Sequence, residues 1–233
     1  MSWALVTGAA ARGGAAIARA LHRAGQDVVV HHSPRSRAAA QALADELAAG
    51  RPGSARTWEV ELAADVVVPE WLVQIAPACC VCNASTYQPS ALDDVGRMDE
   101  DHAIHVRAHA VILAALRPGL RSVVGVSDLH AERPTRGYVW YSVTKAALQA
   151  LVLTLAVEWA PDVRCNVVAP GTLPYPDRWN DPDRGRRVQS SIPMQRLGTF
   201  DELAAAVAWL ALDAHYVTGQ VLAVDGGRSR WLA

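Results

Sequence analysis

The chain has 233 residues, of which 51% are hydrophobic and 19% charged, and its formal net charge at neutral pH is −1. This composition excludes an intrinsically disordered chain, and the length suits one large α/β domain. So little net charge argues against nucleic acid and anionic membrane surfaces as partners. Residues 1–8 lack the features of a signal peptide, and no apolar stretch is uninterrupted enough to span a bilayer. We therefore expect a cytoplasmic protein.

Short apolar runs alternate with longer Ala-rich amphipathic runs. The short runs predict strands at residues 5–6, 28–30, 58–62, 78–82, 123–126, 163–168 and 221–224. The longer runs predict helices at residues 15–24, 36–49, 101–116, 141–159 and 201–212. Strands that alternate with helices indicate a parallel sheet covered on both faces. We predict a single Rossmann-type doubly wound α/β domain over residues 1–233, with an irregular, Pro-rich substrate lid at residues 170–193.

The cysteines and histidines do not indicate a metal site. Cys79, Cys80 and Cys82 lie in one apolar run, and Cys165 lies in a second. This placement predicts buried thiols in a reducing compartment rather than disulfides. The histidines lack convincing metal-ligand spacing, so no metal is predicted.

A Gly-rich turn, T-G-A-A-A-R-G-G at residues 7–14, follows the first predicted strand and opens the first helix. Small residues let the backbone approach a pyrophosphate, and the helix N-terminus supplies N–H donors and a positive dipole. The turn therefore predicts dinucleotide binding through Gly8, Arg12 and Gly14.

The end of the second strand selects the cofactor. It reads His31-His32-Ser33-Pro34-Arg35, with no Asp or Glu to bind the ribose hydroxyls of NADH. Arg35, Ser33 and the two imidazoles can instead accept a 2′-phosphate, because the Arg fork binds phosphate with two donors. We therefore predict NADPH as cofactor. The alternative interpretation is a solvated basic loop.

Tyr141 and Lys145 share one face of the predicted long helix, since they are four residues apart. An ammonium beside a phenol favours the phenolate and lowers the phenol pKa, which suits proton transfer near neutral pH. Lys145 can also bind the nicotinamide ribose. Alone, this pair is common by chance.

These motifs occur with others in a characteristic order. Asn83-Ala84-Ser85 follows the fourth strand, and N-V-V-A-P-G at residues 166–171 and V-D-G-G at residues 224–227 follow the catalytic pair. Over residues 5–227 the chain resembles the short-chain dehydrogenase/reductase family. The resemblance implies a nicotinamide-dependent oxidoreductase that forms dimers or tetramers through its two long helices. It also implies cofactor contacts from Glu61, Asn83, Ala84, Lys145, Pro170 and Gly171.

A narrower resemblance links the chain to pteridine reductases. Arg12 stands where the family has a middle glycine, and Asp128, 13 residues before Tyr141, stands where most members carry the catalytic Ser. Pteridine reductases share both changes. The resemblance implies a planar small-molecule substrate, and the residues expected to contact it are Ser85, Tyr87, Tyr138 and the lid residue Trp179. Trp179 could equally pack the lid onto the body.

Asp128 indicates the substrate class. A carboxylate repels the alkoxide that develops during ketone reduction, but it helps to protonate an imine nitrogen or to stabilise an iminium. We therefore predict reduction of a C=N bond, with Asp128, Tyr141 and Lys145 as catalytic residues. If Ser127 instead faced Tyr141, the chain would be a ketone or 3-oxoacyl reductase.

His105 departs from the family pattern. It occupies a helix position where the family has an Asn that holds the active-site Lys through water. The imidazole could relay protons or could be structural. This departure leaves a non-catalytic NADPH-binding regulator as a further alternative.

Overall fold

The computed structural model describes residues 2–174 and 182–230 of the chain. Its centre is a seven-stranded sheet in which neighbouring strands are parallel. The strands are β1 (Trp3–Val6), β2 (Asp27–His32), β3 (Ala55–Glu59), β4 (Cys79–Cys82), β5 (Ser122–Val126), β6 (Arg164–Pro170) and β7 (Val221–Val224). Their order is β3-β2-β1-β4-β5-β6-β7, which confirms the predicted doubly wound Rossmann fold.

Helices cover both faces of this sheet. They are α1 (Arg12–Arg23), α2 (Arg37–Gly50), α3 (Glu70–Gln74), α4 (Val95–His102), α5 (Ala108–Leu116), α6 (Val139–Glu158), α7 (Pro182–Ser190) and α8 (Phe200–Leu212). A π-helical turn, Ala103–Arg107, joins α4 to α5. Short 3₁₀ turns lie at Pro34–Ser36, Leu129–Ala131 and Arg228–Arg230.

The two hydrophobic cores lie on opposite faces of the sheet. Side chains alternate between the faces of a strand, so Val6 of β1 packs toward α1 and α8 while Leu5 packs toward α5 and α6. Both side chains are fully buried. The prediction of buried thiols is confirmed, because Cys79, Cys80, Cys82 and Cys165 are free and buried.

Some element boundaries differ from the prediction. The third strand was predicted at residues 58–62 but forms at Ala55–Glu59, since this edge strand pairs with β2 alone and tolerates exposed polar side chains. The helix predicted from residue 101 begins earlier, at Val95, because the Asp94 carboxylate caps it by accepting from the Arg97 N–H at 3.0 Å. The lid predicted to be irregular contains α7.

One described helix has the length and composition of a membrane span, contrary to the expectation from uninterrupted apolar runs. This helix is α6, with a mean hydropathy of 1.3 over its most apolar window. Polar residues such as Thr144 and Lys145 interrupt its apolar run, but they are themselves buried. The helix packs against β5 and β6, in the manner of a core helix.

Candidate active site

A cleft opens at the carboxyl edge of the sheet, where the chain winds outward from β1 on one side and from β4 on the other. Ligands of doubly wound folds bind at this switch point. The predicted cofactor residues that line the cleft are Gly8, Arg12, Gly14, His32, Ser33, Arg35, Glu61, Asn83, Ala84, Lys145 and Pro170. Gly171 lines a second cavity, called here the adjoining pocket.

The glycines of the Gly-rich turn allow its backbone to pack closely against neighbouring backbone. Gly8 has a φ of +63°, and a Cβ there would lie 2.8 Å from the Ala84 Cα. A Cβ at Gly14 would lie 2.2 Å from the Gly8 carbonyl oxygen, so the start of α1 packs directly against the turn. Arg12 keeps the left-handed backbone (φ +52°) that the glycine of the family pattern would adopt easily.

Asn83 clamps the turn from β4. Its side-chain nitrogen donates to the Thr7 carbonyl at 2.9 Å and to the Gly8 carbonyl at 3.3 Å. The backbone N–H groups of Asn83 and Ala84 both donate to the Thr7 hydroxyl. Asn83 therefore lies in the cleft, but its side-chain amide donates to the turn.

His31 is structural, which corrects part of the 2′-phosphate prediction. Its Nδ1 accepts from the Gly8 N–H at 2.9 Å, so Nε2 carries the proton and donates to the Val60 carbonyl at 3.2 Å. Burial lowers its pKa to about 4, which keeps the ring neutral. With both nitrogens engaged, His31 has no donor left for a phosphate.

The other residues at the end of β2 form an open basic mouth. Arg35 is exposed over 85% of its side chain, and its nearest acid is Glu61, with the closest atoms 4.0 Å apart. His32 is buried and donates through Nδ1 to the Ser33 carbonyl at 3.0 Å. The mouth therefore offers a guanidinium that is not locked into a close ion pair.

Asp128, and not Ser127, faces Tyr141. The Tyr141 hydroxyl donates to the Asp128 Oδ2 at 2.7 Å, while the Asp128 Oδ1 accepts from the His130 N–H at 2.8 Å. Ser127 is buried and donates instead to the Lys145 backbone carbonyl at 3.2 Å. Asp128 is thus both a cap of the Leu129–Ala131 turn and the partner of the phenol.

The ionisation of Tyr141 and Lys145 differs from the prediction. Burial raises the pKa of Tyr141 well above its usual value, and the Asp128 carboxylate raises it further. Burial lowers the pKa of Lys145 to about 8. The Lys145 ammonium lies 5.9 Å from the centre of the phenol ring and donates to the Val126 carbonyl at 2.8 Å. In this state the desolvation and the adjacent carboxylate outweigh the ammonium, so the phenol keeps its proton.

His105 is a buried structural link. Its Nε2 accepts from the Thr86 N–H at 3.1 Å, so Nδ1 carries the proton and donates to the Thr144 hydroxyl at 2.8 Å. Its carbonyl oxygen accepts from Nδ1 of His109, whose Nε2 lies 2.9 Å from the Thr7 hydroxyl. Burial lowers the pKa of both imidazoles, to about 4 for His109. The pair joins the Gly-rich turn to α6 as neutral rings.

The adjoining pocket shares Arg12, Ser85, Asp128 and Tyr141 with the cleft. Tyr87 lines this pocket as predicted, with its ring edge-on to Tyr141 at 4.7 Å between centroids. Tyr138 was predicted beside the substrate, but it does not line the described part of the pocket. It stacks on the Tyr87 ring at 4.4 Å and 12°, and so backs the pocket wall. Trp179 lies outside the described residues.

The sequence did not point to several lining residues of the adjoining pocket, three of which carry polar groups used below. They are His130, Thr172 and Arg228, which come from three separate segments. Each of them lies one or two residues after a predicted site residue or motif, and this position was the one sign of them in the sequence.

Among residues 2–174 and 182–230, no cluster of His, Cys, Asp or Glu has a composition that would hold a metal ion.

Comparison with known proteins agrees with this geometry. A family model described as enoyl-(acyl carrier protein) reductase matches residues 8–229. The chain belongs to the short-chain dehydrogenase/reductase family. The Tyr141–Lys145 pair and the Gly-rich turn occupy one cleft, as the family resemblance implied.

The known proteins that resemble this chain align with different shares of its length. It is 38% identical over 160 residues to glucose 1-dehydrogenase of Gluconobacter oxydans, spanning 63% of this chain but only 60% of that protein. It is 32% identical to pteridine reductase 1 of Leishmania tarentolae, spanning 97% of this chain and 96% of that protein. A solved structure, FolM alternative dihydrofolate reductase 1 of Brucella canis complexed with NADP, superposes with a TM-score of 0.89 at 28% identity. That superposition covers 100% of this chain and 95% of the other.

Proposed function

We propose that this enzyme uses NADPH to reduce a C=N bond in a planar, pterin-like or cyclic imine substrate. The observation that carries the proposal is the 2.7 Å hydrogen bond from the Tyr141 hydroxyl to the Asp128 carboxylate. It places a carboxylate beside the phenol that donates the proton in this proposal, where most of the family carries a Ser hydroxyl.

The cleft suits NADPH in shape and charge. The Gly-rich turn presents the N-terminus of α1 to a pyrophosphate, and the lack of a side chain at Gly14 lets α1 begin directly against the Gly8 carbonyl. The mouth carries Arg35 and Ser33, and the carboxyl end of β2 has no acid to bind ribose hydroxyls. Hydride to the substrate carbon is the chemistry that the nicotinamide supplies when bound. The NADP in the solved relative supports this assignment.

The protein residues supply the proton. Because the pKa of Tyr141 is raised well above its usual value, the phenol is protonated at neutral pH and can donate to a substrate nitrogen. As that nitrogen gains positive charge, the Asp128 carboxylate stabilises it. An alkoxide at the same place would be repelled, so the same geometry disfavours ketones. Lys145, donating to the Val126 carbonyl, is placed to hold the nicotinamide ribose.

Carbonyl reduction is the second candidate. The identity to glucose 1-dehydrogenase, a protein named for a non-imine substrate, favours it. The geometry favours it less, because Ser127 donates to the Lys145 carbonyl and does not face Tyr141. A non-catalytic regulator is disfavoured by the intact contact between Tyr141 and Asp128, and by the structural bonds that His105 makes in place of the family Asn.

We further propose that the enzyme works in the cytoplasm as a dimer or tetramer. The free, buried thiols suit a reducing compartment. Apolar side chains remain exposed on both long helices: Val111 of α5 at 40%, and Val143 and Val157 of α6 at 50% and 79%. Helix faces of this kind suit burial between identical subunits.

The test is NADPH oxidation by the purified protein, followed by its loss of near-ultraviolet absorbance. Dihydrobiopterin and dihydrofolate are compared with cyclic imines and with a panel of small ketones. We expect turnover of the C=N substrates and little turnover of the ketones. Turnover of ketones alone would establish the carbonyl reductase instead, and binding of NADPH without any turnover would establish the regulator.

A further inference from the structure

The adjoining pocket contains a positively charged side chain, that of Arg228, which has no role in the proposed reaction. Arg228 lines this pocket together with Asp128 and Tyr141. Its guanidinium donates a hydrogen bond to the Thr172 hydroxyl. Across residues 2–174 and 182–230, no carboxylate forms an ion pair with it. A guanidinium has five N–H donors, so most of its hydrogen-bonding capacity is not used by these contacts.

Charged side chains of both signs line the described part of the pocket. Its described lining includes the guanidinium groups of Arg12 and Arg228, and a single carboxylate, that of Asp128. The carboxylate already accepts from Tyr141 and from the backbone of His130. Arg12 donates to the Pro174 carbonyl at 2.6 Å, at the border between the pocket and the cleft. With Asp128 engaged by two donors, the Arg228 guanidinium is the group in the described lining that we expect to meet an anionic part of a ligand.

The backbone holds Arg228 firmly at this wall. The Asp225 carboxylate accepts from the N–H groups of Gly227 at 2.9 Å and Ser229 at 2.6 Å, on either side of Arg228. The Gly171 N–H donates to the Val224 carbonyl at 2.9 Å, which ties the turn to the segment that carries Thr172. The backbone at Arg228 is thus held by these bonds and its guanidinium by Thr172, which reduces the conformational entropy that the side chain loses on binding a ligand.

We propose that Arg228 binds a carboxylate on the substrate, so that the enzyme acts on planar C=N compounds that carry an acidic group. This inference rests on the proposed function and deepens it. The planar guanidinium fork matches a carboxylate with two parallel N–H···O bonds. Asp128 repels the same carboxylate, so the substrate nitrogen lies toward Asp128 and Tyr141 and the acidic group toward Arg228. Specificity and orientation then follow from two opposite charges in one pocket.

The test compares ligands that differ in one carboxylate. Binding of 6-carboxypterin and 6-methylpterin to the NADP⁺-loaded protein is followed by fluorescence anisotropy. The variants are Arg228→Gln and, as matched control, Arg230→Gln, which alters an exposed arginine of the same turn that does not line the pocket. We expect the wild type and Arg230→Gln to prefer the carboxylate by about tenfold to a hundredfold. In Arg228→Gln this preference should vanish while 6-methylpterin binds as before.

Two results would overturn the role of Arg228. One is a carboxylate preference that survives Arg228→Gln, or is absent from the wild type. The other is an equal loss of both pterins in Arg228→Gln, which would mean that the residue only supports the pocket wall.

A second ligand pair separates this inference from the proposed function. Quinoline-2-carboxylate and its carboxamide, compared by calorimetry, test the anion site without pterin recognition, and dihydrobiopterin turnover tests reduction without a carboxylate. Turnover of dihydrobiopterin with no acid preference in either pair refutes the anion site alone. An Arg228-dependent preference for the quinoline acid, with no C=N substrate reduced, refutes the proposed reaction alone.

Discussion

Tyr141 and Asp128 are joined by a 2.7 Å hydrogen bond in which the phenol donates and the carboxylate accepts. The other oxygen of the same carboxylate caps the turn that follows β5. Because both oxygens are fixed by neighbours, the carboxylate cannot turn away from the phenol without breaking the turn. The phenol and the carboxylate are therefore held together before any substrate binds.

Replacing Tyr141 by Phe should reduce turnover by about 10²–10⁴-fold, because the proton donor is removed while the ring still fills its buried position. NADPH binding, measured by fluorescence titration, should change little. The matched control is Tyr216→Phe, which alters a fully exposed tyrosine and should leave turnover unchanged. Substantial residual activity in Tyr141→Phe would show that another group donates the proton.

Replacing Asp128 by Ser should shift the ratio of kcat/KM values from imine substrates toward ketones. The hydroxyl can still cap the Leu129–Ala131 turn and can donate to an alkoxide, whereas the negative charge is lost. The measurement is NADPH oxidation with a matched cyclic imine and cyclic ketone. An unchanged ratio would contradict the role given to the Asp128 charge.

Asp128→Asn should lower the pKa of Tyr141 toward its usual value. The carboxylate destabilises the adjacent phenolate, so its removal leaves burial as the main cause of the raised pKa. Tyrosinate absorbance in an alkaline titration measures the change, and the Tyr141→Phe protein identifies which transition belongs to Tyr141. A Tyr141 pKa equal to that of the wild type would mean that Asp128 is protonated in the site.

Arg35→Ala should weaken NADPH by roughly tenfold to a hundredfold and leave NADH nearly unaffected, since a charge-assisted phosphate contact is lost. Arg37→Ala is the control, because Arg37 is bound to Glu59 through two 2.6 Å hydrogen bonds and does not line the cleft. Dissociation constants for both cofactors decide the matter. Equal losses for NADPH and NADH would show that Arg35 does not bind the 2′-phosphate.

The free energy of unfolding should fall as the pH decreases from about 6.5 toward 4. His31 and His109 have a pKa of about 4 in the folded protein but 6.5 as ordinary histidines, so unfolding takes up protons in this range. Each buried imidazole contributes a slope of about 1.4 kcal/mol per pH unit. Urea unfolding at several pH values should show a smaller slope for His109→Gln, and an unchanged slope for His102→Gln, which alters an exposed histidine. Equal slopes in all three proteins would contradict the neutral buried rings.

The fold was largely predictable because the buried strands of a parallel sheet are continuous apolar runs. The exceptions follow from the same physics. The edge strand β3 is half exposed and reads Ala-Arg-Thr-Trp-Glu, so the apolar run pointed to the residues beyond it. Helices α4 and α7 are rich in charge and lack an apolar stripe that would reveal them.

The candidate site was predictable where one motif supplies several groups, as for Tyr141 and Lys145 one helical turn apart. It was less predictable where ionisation depends on surroundings. Burial and Asp128 raise the pKa of Tyr141, and the spacing between Tyr141 and Lys145 reveals neither effect. Arg228 was missed because only the folded chain brings the turn after β7 beside Thr172.

The buried bonds from Thr7 to His109, and from His105 to Thr144, run without interruption between the Gly-rich turn and α6. All four side chains are buried, each with at most 3% of its surface exposed. Opening the turn therefore exposes polar atoms on the helix as well, and the two halves of the site must open together. In hydrogen exchange, the amides of Asn83 and Ala84 and those at the start of α6 should belong to one protected unit.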